Sequence, residues 1–347
     1  VITVAELRPD ERGAWDAYVR GAPGGLPMHL SGWQEVLART HGYETHFLMA
    51  RQNGRVAGVL PLFFIQSRWV GNAATTLPGG LCADGDEVAR ALLARAVEVG
   101  RDGGMRRLVL QDGRRAWSGA WRTTSDHVDW RIDVRPDPEA LWRRLQRNVR
   151  RQVRLAISAG LAVEIDRSGH GLDDFYAVFS QFTRQVGTPV FGRSFLQNVV
   201  DVFPGQFSIA LVRRAGLPIG AFFQLELGRT VYGMWGATLH PYLPLRPNYL
   251  LYWELLNDTS ARGFHTLDMG RSPARSGASA FKGQWGGECR PVYQQVAALG
   301  RPTAGDAVAR PLRSDGQMRL VRRIWPLLPA PLATYLGPKL RRHVPFA

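Results

Sequence analysis

The chain has 347 residues, 45% hydrophobic and 21% charged, which excludes a disordered or low-complexity polymer. That length favours two domains over one core. A formal charge of +15 favours anionic partners such as nucleic acid, acidic lipid or a phosphorylated substrate, and says nothing about fold.

In chain order, the first informative segment is "MARQNGRVAGVLPL", Met49–Leu62. It reads as strand, tight Gly turn, strand. Its apolar run Val56–Ile65 is about half the length of a membrane span and reads as strand. A helix over Asp86–Gly104 and a short strand over Met105–Leu110 follow. The order recurs later. "LVRRAGLPIGAFFQ" (Leu211–Gln224) is a second hairpin, with Arg213, Gly216 and Gly220 in the places of Arg51, Gly54 and Gly58. A helix over Asn248–Gly263 and a strand over Phe264–Met269 complete it. Two copies of one α/β unit are therefore expected.

Between the copies lies "LWRRLQRNVRRQVRLAISAG", Leu141–Gly160, with six arginines from Arg143 to Arg154. Asp137 suits an N-cap, Pro138 the first helical position and Gly160 a stop, so one helix is expected. Leu141, Leu145, Val149, Val153 and Ala156 form its apolar stripe. Arg143, Arg147, Arg150 and Arg154 share a second stripe, with Arg151 beside it. Like charges at this spacing repel, so either solvent screens them or an anion sits on them. Tyr232 and Trp235 lie on a strand. Asn248 can cap the helix after Pro247, whose N-terminus is a candidate anion seat. Tyr249 and Tyr252 line either a cleft or the core, and Trp253 reads as core.

"DMGRSPARSGASAFKGQWGGE" (Asp268–Glu288) ends a strand and opens a small-residue loop carrying Arg271 and Arg275. Such a loop lets backbone N–H groups approach an anion. Lys282 can stabilise negative charge developing on a carbonyl oxygen, and Asp268 is the nearest candidate proton relay. A flexible surface loop with scattered cations is the structural alternative. After Leu299 the chain becomes a polar linker. The segment from Arg310 to Ala347 then carries eight basic residues and one acid among Trp, Leu and Pro. It either docks on the body or lies on an anionic membrane surface.

Several chemistries are absent from the sequence. It has no phosphate-loop GxxxxGK[ST], no strand-flanked GxGxxG and no GxSxG elbow. Cys82 and Cys289 are far apart and the eight histidines do not cluster, so no metal site is expected. No secretory core opens the chain, so a cytoplasmic protein is expected, with peripheral contact at the inner face of the membrane through residues 310–347.

Taken together, these motifs resemble the FemAB-like acyltransferases, in particular the subgroup associated with exosortase and exopolysaccharide gene clusters. The likeness runs over nearly the whole chain and is strongest in "NVRRQVRLAISAGL" and "FKGQWG". It implies an α/β (α+β) architecture of two tandem GNAT-like domains joined by the basic helix, with 1–136 the first, 137–300 the second and 301–347 the basic tail. It implies transfer of an acyl or aminoacyl group to an amine on a cell-envelope or exopolysaccharide-related acceptor. No metal or permanently bound cofactor is implied. The donor is acyl-CoA or aminoacyl-tRNA. The resemblance ties Lys282 to catalysis, with Phe281 and Trp285 beside it as binding residues, and turns the interdomain arginines toward an anionic substrate. One departure concerns the donor: the nearest matches to the CoA-binding [QR]xxGx[GA] loop lie on the hairpins and not before a helix. Two rival readings are a non-catalytic RNA- or anion-binding protein using the arginine helix, and a peripheral membrane scaffold.

Overall fold

The computed structural model describes residues 1–67, 71–135, 137–300 and 315–343. Arg310 and Arg313 of the basic tail, and most of the expected linker, lie outside them. The chain divides into two compact units: Val1–Asp126 with Pro291–Leu320 and Lys339–Ala347, and His127–Arg290 with Val321–Pro338.

The first unit contains β1 (Ile2–Glu6), α1 (Arg12–Gly21), α2 (Trp33–His41), β2 (Thr45–Gln52), β3 (Arg55–Ile65), β4 (Ala73–Thr76), β5 (Cys82–Ala83), α3 (Asp86–Asp102) and β6 (Arg107–Gly113). The chain enters the second unit along β7 (Arg122–Asp133). There follow α4 (Pro138–Arg144), α5 (Arg147–Ser158), β8 (Leu161–Asp166), α6 (Leu172–Gln185), α7 (Arg193–Val202), β9 (Phe207–Arg214), β10 (Leu217–Leu227), β11 (Thr230–Thr238), α8 (Pro247–Ala261), β12 (Thr266–Pro273) and α9 (Gly277–Gly283). The chain returns along β13 (Glu288–Ala298) and ends in α10 (Asp315–Ile324) and α11 (Ala330–Arg341).

Strand order is β1-β2-β3-β4-β6-β13 in the first unit and β7-β12-β11-β10-β9-β8 in the second. Each contains one parallel pair, β4 with β6 and β11 with β12. A parallel neighbour needs a crossover, and α3 and α8 supply it. The expected duplication is present in detail. Both hairpins turn through two residues of positive φ, Asn53 (51°) and Gly54 (81°) in one, Ala215 (47°) and Gly216 (82°) in the other. That is the turn whose twist matches paired strands. The two matched arginines also do the same work. Arg51 donates to the Gly54 carbonyl and pairs with Glu11; Arg213 donates to the Gly216 carbonyl and pairs with Asp174.

In the first unit, Val88, Leu92 and Ala96 of α3 pack with Leu48, Leu60 and Leu108 of the sheet. In the second, successive residues of β10 serve opposite faces. Phe222 meets Tyr252 of α8, while Phe223 meets Phe175 of α6 and Trp235. Both faces of that sheet are therefore covered.

The arginine-rich stretch differs from expectation. Asp137 does cap a helix, accepting from the Ala140 N–H at 2.8 Å. That helix stops at Arg144, and Leu145 and Gln146 are extended before α5 begins. Leu145 is buried in the core at the break. The break takes Arg143 out of helical register with Arg147, which removes one like-charge stack that a continuous helix would impose.

Register shifts mark three pairings of the second sheet: Ile219 of β10 is extra against β9, and two further bulges lie on β11 and β12. Met234 of β11 is extra where Trp235 and Gly233 pair with Phe223 and Gln224 of β10. Met269 and Gly270 of β12 stand opposite the single Trp130 of β7, between the pairs Asp268–Arg131 and Arg271–Asp129. Gly270 has φ 73°, and a Cβ there would lie 2.5 Å from the Gly233 carbonyl oxygen. Gly263 has a similar φ of 77° in open space. We therefore expect Gly263→Ala to cost about 1 kcal/mol from backbone strain alone, and Gly270→Ala at least twice that. Urea unfolding midpoints of the two variants measure the difference.

Candidate functional site

The site is built on β7, β12 and α9. Helix α9 is N-capped by Ser276, whose Oγ accepts from the Ser279 N–H at 3.2 Å. Its small residues let it lie on Trp130 of β7, whose Nε1 donates to Ser279 Oγ at 3.1 Å. A Cβ on Gly283 would sit 3.0 Å from the same indole. This close seating carries Lys282 down beside the β12 bulge. Lys282 is only 7% exposed. Its Nζ donates to the Gly270 carbonyl at 2.7 Å and the Arg271 carbonyl at 3.3 Å. The bulge exposes those two carbonyls, and an ammonium bound to both retains a third N–H.

Two carboxylates and a guanidinium complete the cluster. Asp268 (1% exposed) accepts from the Gly270 N–H at 2.9 Å. Arg131 Nε lies 3.4 Å from Asp268 Oδ2 and 3.9 Å from Asp129 Oδ2. Two positive and two negative side chains thus offset one another in a poorly solvated place. Burial pushes the Lys282 ammonium down to about 8, against the pull of Asp268 and then Asp129. A lysine held near neutrality inside a charged cluster is the kind of perturbed group that active sites employ.

Phe281 and Trp285, on either side of Lys282, turn the other way. With Tyr249 and Tyr252 of α8 they form a four-ring cluster, with centroids 5.0–6.2 Å apart. Tyr249 donates to Gln284 Oε1 at 3.0 Å, tying α8 to α9. Burial, then the Asp268 charge, pushes the Tyr252 phenol above its ordinary range. Trp285 Nε1 is buried without a hydrogen-bond partner.

The remaining candidates fall elsewhere in the second unit. Trp235 packs among Phe191, Phe195 and Phe223, on the face opposite Phe222 and Tyr252. Tyr232 is half-buried and stands beside Asp268 where β11 and β12 pair. Asn248 is not the cap of α8; Arg246 holds that position with a φ of 65°, and Asn248 accepts from the Thr238 hydroxyl at 2.5 Å. Arg271 and Arg275 are exposed. So are Arg143, Arg147, Arg151 and Arg154, with Arg150 half-buried. Within these helices, Arg143 pairs with Glu139, Arg151 donates to Asn148, and the Arg154 guanidinium lies 5.4 Å from the Trp142 ring centroid. Asp129 and Arg131 were not singled out in the sequence. The alternating "DHVDWRID" is the signal that could have marked a strand with buried charge on one face.

The β11–β12 ladder supplies a second feature. It runs from Thr230–Thr266 to Tyr232–Asp268, yet β11 continues to Thr238. Beyond Tyr232, β11 runs on without continuing its ladder with β12. The first unit ends its parallel ladder differently. There the Gln111 N–H donates to Thr76 Oγ1 at 2.9 Å, and the Gly79 N–H donates to the Gln111 carbonyl at 2.8 Å. Side chain and loop close that end. Among the described residues no cluster of three or more His, Cys, Asp or Glu can hold a metal ion, and no helix is long and apolar enough to cross a membrane.

Residues 143–283, within the second unit, match the family model "Acetyltransferase (GNAT) domain". The whole chain has the FemAB-like tandem GNAT fold. It superposes on FemX with a TM-score of 0.65 at 16% identity, over 84% of this chain and 96% of that one. A tandem GNAT protein from the clavulanic acid biosynthesis pathway gives 0.58 at 14% identity, over 87% and 100%. L-PGS from Bacillus licheniformis gives 0.57 at 13%, over 92% and 97%. No curated protein matches the chain in sequence.

The perturbed lysine has a consequence for stability. Its folded-state value, about 8, lies below the ordinary 10.5 of an unfolded chain. Below pH 8 both states are charged and the burial cost is fully present; it is relieved as pH rises from 8 to 10.5, by about 3 kcal/mol in all. Comparing wild type with Lys282→Met by denaturant unfolding at pH 7 and pH 10.5 should show wild type gaining on the variant. Parallel stability curves would mean that the lysine titrates normally.

Proposed function

We propose that the second unit transfers an acyl or aminoacyl group from an activated ester or thioester to an amine on a cell-envelope or exopolysaccharide-related acceptor. The donor is aminoacyl-tRNA or acyl-CoA. The observation that carries this reading is the buried ammonium of Lys282, held on two strand carbonyls beside the end of a parallel ladder, within the residues that match the GNAT acetyltransferase model.

The chemistry follows from the geometry. The acceptor amine attacks the donor carbonyl, a C–N bond forms, and charge develops on the carbonyl oxygen. The third N–H of Lys282 stabilises that oxyanion in a site of low dielectric. The C–O or C–S bond then breaks, and the proton lost by the amine goes to the leaving alkoxide or thiolate. Asp268 is engaged by the Gly270 N–H and lies beside Arg131. It serves first to keep Lys282 charged, and the proton passes within the reacting pair. The backbone edge of β11 beyond Tyr232 holds the extended arm of the donor, and the exposed arginines of α5 receive its phosphates. Positioning supplies much of the acceleration.

Single-turnover assays with radiolabelled acyl-CoA and aminoacyl-tRNA test the proposal. Lys282→Met should lower kcat at least 100-fold with little change in KM, the pattern of a contact made mainly in the transition state. Because the ammonium is the active form, the wild-type rate should fall as pH rises through about 8, and that limb should vanish in the variant. The exposed arginines favour a second reading, a non-catalytic RNA- or anion-binding protein. On that reading RNA affinity survives Lys282→Met, falls steeply with salt, and no acyl product forms.

A further inference from the structure

The C-terminal segment Val321–Pro338 belongs to the second unit and is firmly seated there. Trp325 and Ala333 are buried. Arg184 of α6 donates to the Pro326 carbonyl at 3.0 Å and the Leu328 carbonyl at 3.1 Å. A Cβ on Gly187 would lie 2.4 Å from the Arg322 carbonyl, and one on Gly337 would lie 2.9 Å from Val190. These contacts use one side of the segment. Turned away from those contacts into solvent are Ile324, Leu327, Leu332 and Tyr335, all exposed, with Leu327 at 81% and Tyr335 at 62%. Folding has not hidden these large apolar side chains, although the same short segment buries Trp325. Arg322 and Arg323 are exposed among them.

We propose that this outward side is a membrane-docking face, which seats the second unit on an anionic lipid bilayer. Charge selects the occupant. Between Val321 and Pro338 the sequence has no Asp or Glu. A second copy of the face would therefore bring arginine against arginine with nothing to offset it. RNA would satisfy the arginines but leave Ile324 and Leu327 in water. A bilayer with anionic headgroups satisfies both, taking the leucines and isoleucine below the headgroups and the arginines at their level, with Tyr335 at the boundary. The contact is independent of the acyl-transfer reading and does not involve Lys282.

Vesicle co-sedimentation of the full chain tests this. Vesicles of phosphatidylglycerol and phosphatidylcholine should bind the protein, and vesicles of phosphatidylcholine alone should bind it at least tenfold less. Leu327→Glu should weaken binding at least tenfold, and Arg322→Gln with Arg323→Gln about fivefold per arginine. Leu217, an exposed leucine on β10, is the control, and Leu217→Glu should bind as wild type does. Leu327→Trp, with bromine-labelled acyl chains as quencher, reads insertion directly and does not depend on the charged variants folding well. The proposal is overturned if wild type ignores anionic vesicles, if Leu327→Glu and Leu217→Glu behave alike, or if the face instead drives a dimer that Leu327→Glu dissolves in sedimentation equilibrium.

Discussion

The ammonium of Lys282 sits where water hardly reaches, on two carbonyls that only a bulged strand presents. Asp268, Asp129 and Arg131 surround it, and the cluster is tolerable because its charges cancel. Deleting any one member would leave a buried charge without its counterpart, which costs far more than an intact pair contributes. The bulge, the seating of α9 on Trp130 and the alternation of β7 therefore form one arrangement. Bulges recur beside active sites because they re-aim side chains and end strand pairing, and the β12 bulge does the first of these here.

The aromatic cluster beside α9 also packs that helix in place. Tyr249, Tyr252, Phe281 and Trp285 tie α9 to α8, the helix that also meets Phe222 of the sheet. A helix as short as α9 has little stability of its own. Its grip on Lys282 comes from rings on one side and Trp130 on the other. A substitution among those rings would thus also act on the lysine through position.

Much of the fold was legible in the sequence because hairpin chemistry is local. Asn53-Gly54 announces its turn, and Arg51 with Arg213 reveals the second copy although Ala215 replaces the asparagine. Lys282 and Asp268 were legible as candidates because they stand in a distinctive small-residue stretch. Asp129 and Arg131 were not, since their role depends on β7 pairing with β12, more than a hundred residues away in the chain. The break at Leu145–Gln146 was missed because the apolar spacing runs through it without interruption. Aromatics at helical spacing left Tyr252 undecided between cleft and core, and only its packing against Phe222 and Trp285 resolves where it lies. The mixed Trp, Leu and Arg tail read equally well as docked or membrane-facing; Arg184 and Gly187, which hold it, are distant in sequence.

The closed ladder end of the first unit bears on how the duplicated halves have diverged. Gln111, Thr76 and Gly79 satisfy one another there, so those polar groups are already engaged within the copy. In its twin, β11 runs on past the last residue it pairs with β12. A repeated design has in this way given one topological point two different finishes, sealed by its own side chain and loop in one copy and left to diverging strands in the other.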